Sequence, residues 1–95
     1  MKHASPQTLD ALAPLLKRVR AIPGLTERKA GIFYLRANAF LHFHEDPAVL
    51  FADLKLPNST GFTRFPVNQS DEQDELVAAA IGVASAVNSL KRSKK

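Results

Sequence analysis

Residues 31–56 read GIFYLRANAFLHFHEDPAVLFADLKL, and this stretch decides the fold. Gly31 to Arg36 is rich in aromatic and β-branched side chains, as strands are. Ala37-Asn38 reads as a tight turn, because Asn tolerates the left-handed backbone that hairpins demand. Ala39 to Glu45 then returns as a second strand, which Asp46-Pro47 ends. From Leu50 to Leu56 the chain alternates Leu50, Ala52, Leu54 and Leu56 with Phe51, Asp53 and Lys55. That period of two predicts a third strand with one buried and one wetter face.

Working outward, Pro57-Asn58-Ser59-Thr60-Gly61 is a turn, and Phe62 to Val67 reads as a fourth strand in which Pro66 marks an end or an edge. Ser70-Asp71-Glu72-Gln73 has the form of a capping box. The acidic residues 71, 72, 74 and 75 favour the positive end of the helix that follows. Leu76, Ala80, Val83, Val87 and Leu90 supply its apolar stripe. On the other side, residues 1–5 read as a loose end, and Ser5-Pro6 as a helix start. A helix is expected near 8–21 on the spacing of Leu9, Leu12, Leu16 and Val19. Pro14 either kinks it or delays it so that Asp10 becomes the N-cap. Thr26 to Ala30 reads as a polar turn. The expected fold class is α+β: an N-terminal helix, an antiparallel meander of three to four strands, and a C-terminal helix packed on one face of the sheet.

Composition bounds the rest. Ninety-five residues make one domain, taken as 1–90 with a basic tail at 91–95. The apolar share of 45% and charged share of 23% are those of a globular chain. No cysteine is present, which excludes disulfides and thiolate chemistry and favours a reducing, cytoplasmic setting. The N-terminus has no apolar run of the signal-peptide kind, and no stretch reaches the roughly 20 apolar residues of a membrane span. The net charge of +4 resides in Lys91, Arg92, Lys94 and Lys95; without them nine basic residues balance nine acidic ones. The body of the chain therefore has no basic field, which argues against nucleic acid as a partner. Four scattered glycines make no phosphate loop, and the acidic run at 71–75 lacks the glycine and spacing of a calcium loop. No cofactor is expected.

One constellation could carry chemistry. On a strand His42 and His44 point to the same face, and Asp53 lies on the non-leucine face of the next strand. Arg36, Lys55 and Arg64 can approach that surface, depending on register. Two same-face histidines and a carboxylate are zinc-type ligands, so His42, His44 and Asp53 form a candidate metal site. They also form a candidate acid–base pair, with Asp53 orienting an imidazole. No serine stands in the strained turn a hydrolase nucleophile needs. The plainer alternative is a half-exposed sheet face whose histidines are simply polar.

The stretch FYLRANAFLHFHEDPAVLFADLKL, with RFPV and the Gln-Asp-Glu-Leu helix after it, resembles a set of small conserved bacterial proteins of unknown function. In layout it is also similar to the luciferase-domain proteins, in which an H-x-H strand precedes an A-D-L strand. The resemblance covers roughly residues 25 to 85. It implies an α+β fold and a role for His42, His44 and Asp53, and it brings no established activity. The function expected is therefore binding of a small ligand or a protein through the face bearing His42, His44, Asp53, Lys55 and Arg36. A metal-dependent or His/Asp acid–base enzyme at the same face is the alternative. Homodimerisation is a variant, because alternation places Phe40 and Phe51 on that outer face.

Overall fold

The computed structural model describes residues 2–47, 49–57 and 61–93. The expected turn at 57–61 therefore lies partly outside the described residues, as do Lys94 and Lys95 of the basic tail. The protein is α+β. Its elements are β1 (Lys2–His3), α1 (Pro6–Ala11), α2 (Ala13–Arg20), β2 (Leu25–Lys29), β3 (Ile32–Leu35), β4 (Asn38–Asp46), β5 (Val49–Lys55), β6 (Phe62–Pro66) and α3 (Ser70–Ser93). Strands β2 to β6 form an antiparallel meander in sequence order.

The sheet holds more strands than the three or four expected. Leu25–Lys29, expected as a polar turn, is a strand: it pairs Leu25 with Leu35 and Thr26 with Tyr34. It lies at the edge of the sheet beside β3 with three of its five residues exposed, and its polarity concealed it. The supposedly loose N-terminus also pairs, placing Lys2 opposite Glu45 and His3 opposite His44. This is geometrically allowed because β3 pairs with β4 only as far as Ile32–His42. β1 continues that edge of β4, and the Ala4 amide donates to the Phe43 carbonyl at 3.0 Å.

The first helix is two. Ser5 caps α1, its Oγ accepting from the Thr8 amide at 3.2 Å, and Pro6 occupies the first turn as expected. The Pro14 ring cannot sit over the carbonyl of the fourth residue before it in a continuous helix. The chain breaks at Leu12, φ −96° and ψ 12°, and α2 restarts with proline in its opening turn. The start of α3 also differs from the expected box. Ser70 is already helical, and the Glu72 carboxylate reaches back to accept from the Asn68 and Gln69 amides at 2.8 and 3.0 Å. Gln73 instead donates through Nε2 to the Val67 carbonyl at 3.0 Å. A carboxylate is the stronger acceptor for amides at a positive helix end, so Glu72, one residue before Gln73, takes the part expected of it.

The core lies between one face of the sheet and the helices. Leu15, Leu16 and Val19 of α2 and Leu76, Val77, Ala80 and Ala84 of α3 meet Phe33, Leu41, Phe43, Ala52 and Leu54 of the sheet. No polar or charged residue among the described ones is buried as a whole. Among the described side chains of α3 Ala84 is the last that is fully buried; Val83 and Val87 are partly buried and pack against the core, and the Leu90 side chain lies outside the described ones. No helix is long and apolar enough to cross a membrane among the described residues.

A bulge changes the face of one aromatic. Phe33 pairs with Leu41 but Tyr34 pairs with Ala39, so Phe40 is the unmatched residue. Phe40 and Leu41 are consequently both buried, at 3% and 0% exposure. The expectation of Phe40 on the outer face is thus corrected: strict alternation fails wherever a bulge inserts a residue. The dimer reading loses one of the two aromatics on which it rested.

The candidate functional site on the outer sheet face

With the helices on one side, the residues between the buried ones on each strand face outward. On β4 these are His42 and His44, alternating with buried Leu41 and Phe43. On β5 they are Phe51, Asp53 and Lys55, alternating with buried Ala52 and Leu54. Register then builds the cluster: His42 lies opposite Asp53, Asp53 opposite Arg64, and His44 opposite His3. The ladder thus brings His3 of β1, His42 and His44 of β4, Asp53 of β5 and Arg64 of β6 onto one surface.

Asp53 is the electrostatic hub. Arg64 donates to it through Nε at 3.0 Å and through a terminal nitrogen at 3.3 Å. This two-pronged geometry matches a guanidinium to a carboxylate. The bond raises the Arg64 pKa still further. His44 Nε2 lies 3.4 Å from Asp53 Oδ2, the oxygen that also accepts from the Arg64 terminal nitrogen, an ion pair when the ring is protonated. The Arg64 guanidinium also lies 5.3 Å from the Phe51 ring centre, in cation–π range.

The three histidines touch one another. His3 stacks on His44 with centroids 4.8 Å apart and planes at 26°, and His42 lies 6.0 Å from His44 and 6.1 Å from His3. The Phe62 ring covers His42 at 5.0 Å. Burial pushes the His42 pKa below its ordinary value of 6.5, the neighbouring imidazoles of His44 and His3 push the same way, and Asp53 opposes them. Its Nε2 is buried and has no hydrogen-bond partner among the described residues.

This arrangement bears on each chemistry considered. Among the described residues no group of three or more histidine, aspartate or glutamate side chains has the geometry to hold a metal ion. Arg64 engages both Asp53 oxygens, and His44 stacks on His3. For acid–base work the His44–Asp53 pair is in reach, with the same carboxylate also held by Arg64.

Two of the sequence-derived candidates stand apart from the cluster, Lys55 on the same outer face and Arg36 off it. Arg36 is in the β3–β4 turn, and Lys55, opposite Phe62, is near the end of β5. Both line a cleft at the end of the sheet that includes neither His42, His44 nor Asp53. The turn itself falls one residue earlier than expected, at Arg36-Ala37, with Arg36 and not Asn38 in the left-handed region at φ 60°. Sequence reasoning missed His3 and Phe62. His3 had no signal, because a two-residue strand has no periodicity to detect. Phe62 had one, since it stands across from Lys55 once the turn between the strands is placed. Comparison with protein-family models, curated proteins and solved structures finds no match for the chain.

Proposed function

We propose that the protein is a binding domain that holds a small ligand or a protein partner against the outer sheet face at His42, His44 and Asp53. The observation that carries this reading is the His42 Nε2, buried beside an exposed phenylalanine and left without a partner. An unmade hydrogen bond at a buried polar atom costs about 1–3 kcal/mol, and a group that completes it recovers part of that. Phe62 is 42% exposed, so it can turn aside and its face can pack on what arrives. The surrounding charge is already balanced between Asp53 and Arg64, which favours a polar but uncharged contact.

The test is histidine-resolved NMR with a panel of small heteroaromatic and carboxamide fragments, followed by dilution to detect self-association. We expect hits to shift the His42 ring and the Phe62 resonances together, and to lose those shifts in His42→Phe. Fragments that bind with no His42 response would overturn the reading. The enzyme alternative draws on the His44–Asp53 approach of 3.4 Å. It would gain the lead if micromolar zinc shifted His42 and His44 together and Asp53→Ala abolished the effect.

A further inference from the structure

We infer that the cleft at the end of the sheet is a second binding site, built for a free single-chain amphipathic anion such as a medium-chain carboxylate. The cleft has a volume of about 520 Å³, within the range of small-molecule sites. Its walls are apolar: Leu35 and Phe40 from the sheet, Phe62 from β6, and Val83 and Val87 from α3. The bulge at Phe40 turns that ring inward, and Val83 and Val87 of α3 stay half-exposed, so both elements give the cleft an apolar wall.

Charge selects the ligand. The only charged residues among those lining the cleft are Arg36 and Lys55, and no aspartate or glutamate lines it among the described residues. Neither cation has an ion-pair partner among the described residues, although Arg18, Arg20 and Arg64 each have one. Two unpaired cations on an apolar wall match an anionic head with an apolar tail.

The backbone supplies a second, independent observation. Arg36 takes φ 60° at the first position of a two-residue hairpin turn, where glycine is the unstrained choice. A long cationic side chain held in a strained conformation at the mouth of a cleft is the kind of outlier that functional sites retain. Relaxing the backbone there with glycine would remove one of the two charges.

The experiment is calorimetric and NMR titration with decanoate below its micelle concentration, beside decanol, acetate and anionic phospholipid vesicles. We expect decanoate to shift Leu35, Val83 and Val87, decanol to bind far more weakly, and acetate not at all. Arg36→Gly should weaken decanoate binding roughly tenfold, the loss of one charge-assisted contact, while its thermal midpoint stays level or rises. That pairing separates a ligand role from a structural one. Lys55→Gln should weaken binding comparably, and Arg36→Gly should leave the fragment-induced shifts of His42 unchanged, so the cleft and the outer face are tested separately although both touch Phe62. Equal affinity for decanol and decanoate, unchanged binding in Arg36→Gly, or preferential capture by vesicles would each overturn the inference.

Discussion

His42 is neutral for a physical reason with a measurable consequence. Its folded-state pKa lies below the ordinary 6.5, so on acidification the unfolded chain takes up a proton that the folded chain resists. Stability from this group is intact above pH 6.5 and is lost as pH falls below it. The groups facing it are His3, His44 and Asp53, and only Asp53 opposes the effect. We expect the thermal midpoint to decline from pH 7 toward pH 5, and the decline to flatten in His42→Phe. That variant also removes an unpartnered buried nitrogen, so it should be at least as stable as the parent at neutral pH. Gly31 makes the opposite case. It has φ 78°, and a Cβ there would come within 2.9 Å of the Leu9 side chain. Gly31→Ala should cost about 1–2 kcal/mol by chemical denaturation, from backbone strain and from displacing Leu9.

At the scale of elements, the N-terminal segment is attached by few contacts. β1 is two residues long and is held by its pairing to β4 and the stack of His3 on His44. The Ser5 amide adds a bond to the Glu45 carboxylate at 2.7 Å. Such an edge opens locally at less than the global free energy. His3→Ala is expected to speed hydrogen exchange at the Ala4 amide, which donates to Phe43, with little change in the global midpoint. Ser5→Ala should cost about 1 kcal/mol, the usual value of a lost N-cap. β2 is fastened differently: Glu27 accepts from Arg20 at 2.6 and 3.0 Å and from the Gly31 amide at 3.0 Å. One carboxylate thus joins α2, the strand and the following turn, and the Arg20 bond lowers its pKa.

At the scale of the molecule, one apolar layer between sheet and helices holds everything else in place. Leu54 is fully buried at the centre of the sheet, where its strand neighbours cannot collapse around a void. Leu54→Ala should cost about 2–5 kcal/mol. That is a large share of the roughly 5–15 kcal/mol available to a domain, and denaturant titration would read it directly. The same layer explains why function concentrates at its margins. The histidine cluster sits on the outer face, and the Arg36–Lys55 cleft at the end of the sheet, both outside that layer.

Much of this was legible in the residues themselves. The alternation at Leu50–Leu56 placed Asp53 on the face away from buried Ala52 and Leu54, and Leu41-His42-Phe43-His44 placed both imidazoles on that same outer face. Ser5-Pro6 marked a helix start, and the acidic cluster at 71–75 marked another. These features are local: period, turn chemistry and capping act within a few residues of one another, so a sequence carries them openly. What only the tertiary structure decided is non-local. Register set His42 against Asp53 and Asp53 against Arg64, and the free edge of β4 recruited His3 across forty residues. A bulge turned Phe40 inward, and Arg36, not Asn38, took the left-handed turn. Such outcomes depend on which strand edges are open and how volumes fill a shared core, and those are properties of the assembled sheet.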